Sequence, residues 1–291
     1  MLRISDLAAT QYNGSMVPNT HHGLSEPAVA KVDRAREILA ELQRVVVGFS
    51  AGVDSTFLLA LAVDTLSAQR VLAAMNVSIL HPRADVLEAR SLAKALGVEL
   101  VEVYGREMDD HRFVANDADR CYYCKHVVFS SLCRQAAIRG FQAVCSGANA
   151  DDLGDYRPGS RAEEELGIRR PLQEAGLTKR EIRDASRAMG LTTADKPSMA
   201  CLVSRLPYGQ PITPERLARV EQAEAVLRDM GFEQYRVRDH DTVARIELPP
   251  DDFSRALERR EQIVASLKPF GYRYVTLDLQ GFRSGSMNEV L

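Results

Sequence analysis

Long apolar runs are missing from this sequence. The longest ones are strand-sized or amphipathic, far short of the roughly 20 residues that a membrane span needs, and the first residues lack the basic and apolar segments of an export signal. Positive charge is not in excess either: 37 Lys and Arg stand against 40 Asp and Glu, a net charge of −3 that gives no general attraction to nucleic acid or anionic lipid. We therefore predict a cytoplasmic protein that binds neither membranes nor nucleic acid.

Cysteine is scarce, with five among 291 residues, and only Cys121 and Cys124 form a C-x-x-C. An odd number with one such pair does not suit a disulfide framework and favours a reducing compartment with metal or redox chemistry. Internal repeats are lacking as well. The length suffices for an α/β core and a second, smaller domain, because a single core stops growing near roughly 250 to 300 residues.

Apolar strand-like segments alternate with amphipathic helical segments over the first two thirds of the chain. This alternation predicts an α/β fold with a doubly wound parallel sheet, followed by a compact α+β pattern. We predict three parts: a flexible leader at residues 1–28, a nucleotide-binding domain at 29–207, and a C-terminal α+β domain for substrate binding or oligomerisation at 208–291.

Helix ends carry their own signals. Thr178 followed by Glu181 predicts a capping box, and Thr213 is expected to cap the first helix of the C-terminal domain. One unbroken helix is predicted at residues 252–267, and another is predicted to begin after Cys124.

The strongest chemical signal is the segment from Val45 to Thr56, where an apolar strand breaks into a loop of small residues that leads into a helix. Backbone N–H groups, the hydroxyls of Ser50 and Ser55, and the positive end of the helix dipole should converge there on one anion. The loop lacks the lysine of a Walker site and instead resembles the S-G-G-x-D-S motif of PP-loop ATP pyrophosphatases. Ala51 replaces the first glycine of that motif, and at positive φ it would cost about 1 kcal/mol.

A nucleotide site is predicted from this loop and from the neighbouring strand ends, because ligands of such folds bind where parallel strands end. The residues expected to contact ATP are Ser50, Gly52, Asp54, Ser55, Asn76, Ser78 and Gly147. Asp54 is the first candidate for Mg²⁺ and for a catalytic role, with Asp152 and Asp155 next. The alternatives are a polar capping loop without ligand, a plain strand end, and solvated loop carboxylates.

Three cysteines form the second signal, because Cys201 in a distant loop adds a third thiol to the pair at Cys121 and Cys124. Structural zinc prefers four ligands, whereas a 4Fe-4S cluster on three thiolates leaves one iron open for sulfide or substrate. The cluster is our preferred interpretation. A redox or persulfide dithiol comes second, and zinc or unconnected thiols third. Cys133 and Cys145 are expected in the core.

The chain resembles the LarE family of ATP-dependent sulfur transferases, which serve synthesis of the nickel-pincer cofactor of lactate racemase. The resemblance covers residues 45–288. It rests on the loop at 50–55, G-A-N at 147–149, D-Y-R-P-G at 155–159, C-L-V-S-R at 201–205, P-Y-G at 207–209, R-V-R at 236–238, A-R-I-E-L-P at 244–249 and G-F-R-S-G at 281–285. It implies an enzyme that adenylylates a carboxylate of pyridinium-3,5-biscarboxylic acid mononucleotide and converts it to a thiocarboxylate.

The resemblance also implies roles for single residues. In some members the cysteine that matches Cys201 gives up its own sulfur and becomes dehydroalanine, whereas members with an added C-x-x-C resemble cluster enzymes that use external sulfide. This chain has the second pattern, with Cys201 as the catalytic cysteine. The residues expected to hold the acceptor phosphate are Ser204, Arg205, Arg236 and Arg238. Glu224 and Glu247 match acidic positions near a subunit interface where a metal can bind, and a homo-oligomer is expected.

Each of these roles has a plainer alternative. Arg236 and Arg238 are two apart on a predicted strand, so they point to one face, which can equally be a solvated basic face. Glu224 and Glu247 can be ordinary surface carboxylates. For the whole chain the rival functions are a PP-loop tRNA thiolase, an amide-forming ligase such as NAD or asparagine synthetase, and a nucleotide sensor. No basic, aromatic-rich RNA domain is evident, and a ligase would leave the three cysteines without a role.

Overall fold

The computed structural model describes residues 23–154, 158–197 and 200–283. Its contacts divide the chain into two compact units. The first unit comprises residues up to 77, 83–104 and 126–196, and the second comprises 78–82, 105–125 and 197–291. The leader predicted at residues 1–28 lies outside the described residues as far as residue 22, and a helix already begins at Glu26. The domain boundary at residue 207 stays a prediction.

The first unit is built on a sheet of four strands in the order β3-β2-β1-β4. The strands are β1 (Val45–Gly48), β2 (Val71–Val77), β3 (Glu99–Tyr104) and β4 (Ala143–Cys145). All neighbouring pairs are parallel. The predicted α/β fold with a parallel sheet is therefore confirmed.

Helices cover both faces of this sheet. They are α1 (Glu26–Leu42), α2 (Val53–Leu66), α3 (Arg83–Ala95), α5 (Arg120–Ile138), α6 (Pro158–Glu165), α7 (Pro171–Glu174) and α8 (Lys179–Ala188), while α4 (His111–Val114) belongs to the second unit. Along β1, Val45 and Val47 join the core with α1, α2 and α8, whereas Val46 joins a second core with α5. Alternate strand residues face opposite sides, so one apolar strand serves two cores.

Two of the sequence-based helix predictions have different outcomes. The capping box is present, because Glu181 N donates to the Thr178 hydroxyl and the Glu181 carboxylate accepts from Thr178 N. The helix predicted to follow Cys124 instead begins at Arg120, so that prediction is wrong. The carbonyl of Asp119 accepts from the N–H groups of Tyr122 and Tyr123, which starts the helix one turn early and places the C-x-x-C in its first turns.

The second unit contains a small mixed sheet in the order β5-β6-β7. Its strands are β5 (Arg236–His240), β6 (Val243–Glu247) and β7 (Tyr274–Leu277), and its longer helices are α9 (Pro214–Asp229), α10 (Phe253–Glu258) and α11 (Arg260–Leu267). Thr213 caps α9 as predicted. The unbroken helix predicted at 252–267 is wrong, because Arg259 leaves helical geometry and donates, with Arg255, to the Met230 carbonyl.

Across the described ranges, no helix is long and apolar enough to cross a bilayer.

Candidate active site

The loop between β1 and α2 has the conformation that its small residues suggest. The Ser55 hydroxyl accepts from Ser50 N at 3.2 Å, lies 3.1 Å from the Ser50 hydroxyl, and donates to Gly52 O at 3.2 Å. These bonds close the loop on itself at the N-terminus of α2, where helix N–H groups favour an anion. Ala51 has a φ of 56° and is fully buried, so the positive φ considered for this position is present.

Gly147 brings the end of β4 against the same loop. A Cβ at Gly147 would lie 2.9 Å from Ser55 N and 3.2 Å from the carbonyl carbon of Asp54. Both neighbours are backbone atoms, which do not move aside as a side chain would. The sequence signal for Gly147 therefore has a physical reason, since only glycine allows this close approach.

We expect Gly147→Ala to lower ATP-dependent pyrophosphate release about tenfold, because the added methyl group must displace the backbone of the anion loop by several tenths of an ångström. Pyrophosphate release checks this, together with the thermal unfolding midpoint. Gly167→Ala serves as a control: it also lies in the first unit and its Cβ would meet nothing within 4 Å, although its φ of 65° adds some strain. Equal pyrophosphate release by Gly147→Ala and the wild type would contradict the assigned contact.

Asp54 stands in the first turn of α2 with two partners. Lys179 Nζ forms a short ion pair with one carboxylate oxygen, and Asn149 Nδ2 lies 3.4 Å from the other. Lys179 is the first residue of α8, and its backbone N–H donates to Asp151 Oδ2 at 2.9 Å. The carboxylate expected to face Mg²⁺ is thus neutralised by a lysine that the sequence analysis missed. Its position directly after the predicted capping residue Thr178 was the available signal.

A second lysine reaches the loop. Lys196 Nζ donates to Ala51 O at 3.0 Å and forms an ion pair with Glu88 at 2.7 Å. The segment before it is held by Arg183, which donates to Ala194 O and Lys196 O at 2.6 and 2.8 Å. The loop lacks a Walker lysine, but two lysines from later segments contact its residues.

The other nucleotide-site predictions have mixed outcomes. Asn76 lies near the end of β2, and Ser78 follows the strand in a turn that belongs to the second unit. Asp152 Oδ2 accepts from Asn149 N at 2.9 Å, so this carboxylate orders the loop after β4. Asp155 lies outside the described residues. The structure thus brings together Ser50, Asp54, Ser55 and Gly147, and it leaves contacts of Asn76 and Ser78 with ATP as predictions.

The three cysteines of interest all belong to the second unit. Cys124 and Cys201 pack on one apolar cluster that contains Leu80, Phe113 and Leu202. Cys133 is half-buried on α5 and Cys145 is buried in β4, as expected for core residues.

Cys201 raises the pKa of both Cys121 and Cys124. Burial raises the pKa of Cys121, and the next largest cause is the sulfur of Cys201. Burial also raises the pKa of Cys124 well above its usual value, followed by the charges of Cys201, Glu107 and Cys121. Thiolates are the form that binds a metal, and metal coordination would favour them at Cys121 and Cys124.

A 4Fe-4S cluster on the three cysteines stays a prediction. Within residues 23–154, 158–197 and 200–283, no three His, Cys, Asp or Glu side chains are arranged around one metal ion. An iron–sulfur cluster holds its thiolates further apart than one ion does, and an apolar wall shields it from water. The donor set and its surroundings are therefore compatible with a cluster on Cys121, Cys124 and Cys201.

Arg205 joins the cysteine loop to a buried ion pair. Its Nη1 donates to Ala200 O at 2.6 Å and to Cys201 O at 2.9 Å, while Nε and Nη2 form a bidentate pair with Glu224 at 2.7 and 2.9 Å. Ser204 contributes its hydroxyl, which also donates to Cys201 O. Arg205 and Glu224 are 3% and 6% exposed, so Glu224 is a buried counter-ion and not a surface carboxylate.

A matching pair lies on the small sheet. Arg238 donates to both Glu247 oxygens at 2.9 and 2.7 Å and to Ser204 O at 2.6 Å. Glu247 is completely buried and also pairs with Arg245 at 3.1 Å. A metal role for Glu224 and Glu247 stays a prediction, and their engagement with guanidinium groups speaks against it.

Arg236 lies beside these pairs, over the Phe282 ring at 5.1 Å. Burial, followed by the positive charge of Arg205, lowers the pKa of Arg236 to about 10, although Glu224 opposes the shift. Burial is the main cause of this shift, and the charges of Arg205 and Arg238 add to it. Binding of the acceptor phosphate at these arginines stays a prediction.

Several known proteins are similar in sequence to this chain. The sequence model of NAD synthase matches residues 32–112. An uncharacterized Synechocystis protein is 40% identical over 265 residues, covering 90% of this chain and 98% of the relative. Pyridinium-3,5-bisthiocarboxylic acid mononucleotide synthase of Lactiplantibacillus plantarum is 40% identical over 253 residues, covering 87% and 92%.

A third relative concerns a rival function. A tRNA-specific 2-thiouridylase of Tropheryma whipplei is 30% identical over 190 residues, but the match covers only 53% of this chain and 52% of that enzyme. Such partial coverage reflects the shared PP-loop class and does not favour tRNA as a substrate. The chain belongs to the LarE family of PP-loop enzymes, to which the curated bisthiocarboxylic acid mononucleotide synthase also belongs.

Proposed function

We propose that this enzyme is an ATP-dependent sulfur transferase whose acceptor is pyridinium-3,5-biscarboxylic acid mononucleotide, in nickel-pincer cofactor synthesis. The observation that carries the proposal is the bond from Arg205 to Cys201 O at 2.9 Å. This bond joins the loop that contains Cys201 to the buried arginine. Arg236, which lies beside the buried pairs, would bind the acceptor phosphate, and the acceptor carboxylate would then lie near the cysteines. The relative from L. plantarum is named for the bisthiocarboxylic acid product.

The first chemical step would be adenylylation. An acceptor carboxylate oxygen attacks the α-phosphorus of ATP, the bond to the β-phosphate oxygen breaks, and pyrophosphate leaves with its electron pair. The loop at Ser50 and Ser55 offers N–H and hydroxyl groups to the departing pyrophosphate, and Lys179 and Lys196 offer positive charge. Mg²⁺ bound with ATP would supply further charge neutralisation, with Asp54 as its nearest protein candidate.

The second step would be sulfur transfer. Hydrosulfide adds to the acyl carbon of the adenylate, AMP leaves with the electrons of the C–O bond, and one proton is released, which yields the thiocarboxylate. Adenylylation is needed because a carboxylate is a poor electrophile with a poor leaving group. A 4Fe-4S cluster held by Cys121, Cys124 and Cys201 would supply an open iron at which external sulfide can be held.

Activity tests the proposal directly. The anaerobic enzyme is mixed with ATP, Mg²⁺, sulfide and pyridinium-3,5-biscarboxylic acid mononucleotide, and the products are followed by mass spectrometry. We expect pyrophosphate release that depends on the acceptor, and an acceptor mass increase of about 16 per oxygen replaced by sulfur. Pyrophosphate release with tRNA or ammonia in place of this acceptor and sulfide would instead support a thiolase or a ligase.

We expect Asp54→Asn to lower acceptor-dependent pyrophosphate release about a hundredfold, because the amide keeps the size of the side chain but removes the charge that meets Lys179 and Mg²⁺. Steady-state pyrophosphate assays measure the effect, and circular dichroism verifies folding. Asp64→Asn is the control, since Asp64 also lies on α2 but pairs with Arg36. Unchanged pyrophosphate release by Asp54→Asn would refute the nucleotide-site assignment.

We expect Arg236→Met to raise the KM for the acceptor about tenfold while the KM for ATP stays within twofold, because its guanidinium would bind the acceptor phosphate. Arg236 is chosen alone because substitution of Arg238 would also break a buried pair with Glu247. Arg228→Met is the control, since Arg228 is an exposed arginine of α9. An equal rise in the KM for ATP and for the acceptor would contradict the assignment of Arg236 to the acceptor phosphate.

Two further expectations accompany the proposal. A homo-oligomer and a cytoplasmic location fit an enzyme that relies on reduced thiols and small soluble substrates. Size-exclusion chromatography with light scattering determines the oligomeric state.

A further inference from the structure

A buried asparagine in the second unit joins two segments that are distant in sequence. Asn116 is completely buried, has a φ of 62°, and lies shortly before the C-x-x-C. Its side-chain Nδ2 donates to Pro207 O and to Gln210 O, each at 2.8 Å. Its backbone carbonyl accepts from Gly209 N at 3.0 Å. These three bonds attach the segment before the cysteine pair to the loop that follows Cys201.

Arg120 extends this connection to the cysteine pair. Its Nη1 donates to Asn116 Oδ1 at 2.5 Å, and its guanidinium lies over the Tyr208 ring at 4.0 Å from the centroid. Arg120 directly precedes Cys121, and its positive charge lowers the pKa of that thiol against the larger effect of burial. Arg120 is only 5% exposed, so a full positive charge is buried beside a sulfur.

The loop that Asn116 contacts lies shortly after Cys201 in the sequence. The loop at 207–210 directly follows Arg205 and Leu206, and Arg205 bonds to the Cys201 carbonyl at 2.9 Å. Contacts therefore run from Arg120, the residue before Cys121, through Asn116 to the loop at 207–210, which follows Cys201.

An ordinary turn does not need this arrangement. A non-glycine residue at positive φ costs free energy, although asparagine tolerates it better than most residues, and a buried guanidinium must be compensated by hydrogen bonds. Here both features serve to hold two cysteine-bearing segments in a fixed relation. A site built from three sulfurs needs such a relation, because misplacement by about 1 Å is enough to impair reactivity.

We propose that Asn116 and Arg120 are positioning residues that hold Cys121 and Cys124 opposite Cys201 for sulfur transfer. This inference deepens the proposed function, since it concerns how the same three sulfurs are brought together. The two residues would act through the cysteines, since they belong to the second unit and the loop at Ser50 and Ser55 belongs to the first. Their loss should separate the two half-reactions, impairing sulfur transfer and leaving adenylylation intact.

The first test uses the full-length protein without metal. Dibromobimane, a short thiol cross-linker, is applied to the wild type and to the variants Asn116→Gly, Arg120→Met and Arg120→Lys, and peptide mass spectrometry measures the fraction linked between Cys201 and the C-x-x-C. We expect a cross-link in the wild type and at least a fivefold loss in Asn116→Gly and Arg120→Met. Arg120→Lys is expected to be intermediate, because it keeps the charge and loses the planar fork.

Arg112→Met provides a matched control. Arg112 also stacks on a ring of the same region, Tyr123 at 4.6 Å, but its guanidinium bonds to Asp110. We expect it to cross-link as the wild type does. Thermal unfolding of each variant separates positioning from loss of fold, since a variant that has lost its fold also loses its cooperative transition.

The second test follows iron content and the two half-reactions after anaerobic reconstitution. We expect Asn116→Gly and Arg120→Met to bind less than one fifth of the wild-type iron and to release pyrophosphate within twofold of wild type. Wild-type cross-linking in both variants overturns the inference. A wild type that cross-links but binds no iron overturns the cluster instead, so the two failures are distinguishable.

Discussion

Single replacement of Cys121, Cys124 or Cys201 by alanine is expected to abolish both iron binding and sulfur transfer, with adenylylation of the acceptor kept. Three thiolates hold three irons of a 4Fe-4S cluster, so the loss of any one leaves too few ligands. Adenylylation should persist because the loop at Ser50 and Ser55 belongs to the other unit. Iron and sulfide analysis, pyrophosphate release and thiocarboxylate formation are measured on the same preparations.

Cys133→Ala is the control for these three substitutions. It should behave as the wild type, since Cys133 lies on α5 and packs against an apolar core. The wild type should turn over repeatedly with added sulfide and keep its mass. Dehydroalanine at position 201 after one turnover, with normal transfer by Cys121→Ala, would show that Cys201 gives up its own sulfur.

Glu247→Gln is expected to lower the free energy of unfolding by about 3 kcal/mol, because Arg238 would remain buried without a compensating charge. Both groups are almost inaccessible, with side chains 5% and 1% exposed for Arg238 and Glu247, so water cannot replace the lost partner. Urea unfolding followed by circular dichroism measures the change.

A double substitution separates the charge effect from a packing effect. Arg238→Met combined with Glu247→Leu should recover part of the loss, since an apolar pair of similar volume often replaces a buried ion pair without penalty. Glu261→Gln is the exposed control and should unfold as the wild type does. A double variant less stable than either single variant would mean that the pair is not the cause.

The nucleotide loop was predictable because its signals are local. The apolar strand, the small residues and the start of α2 are adjacent in sequence, and the capping box of Thr178 and Glu181 spans only four residues. The parallel sheet also followed from alternation along the chain. The cysteine helix was misplaced because the deciding contact is a backbone bond to Asp119, whose neighbours read equally well as loop.

The remaining features depend on contacts between distant segments. Lys179 meets Asp54 across 125 residues, and Asn116 meets Pro207 across 91. No periodicity or spacing in one sequence reports such pairs. Arg238 and Glu247 are closer, but pairing of β5 and β6 was needed to show that the two charges neutralise each other inside the protein. The sequence showed that β5 carries charged residues, but it did not show that these residues are buried.

Position 51 illustrates how narrowly the nucleotide loop restricts the amino acids it accepts. Ala51 combines a left-handed backbone with a side chain that has no solvent exposure, and its carbonyl is fixed by Lys196. Asparagine and aspartate suit the backbone but would bury a polar group, while valine and larger residues fit neither the backbone nor the space. We therefore expect a saturation library at position 51 to return glycine and alanine among its active clones.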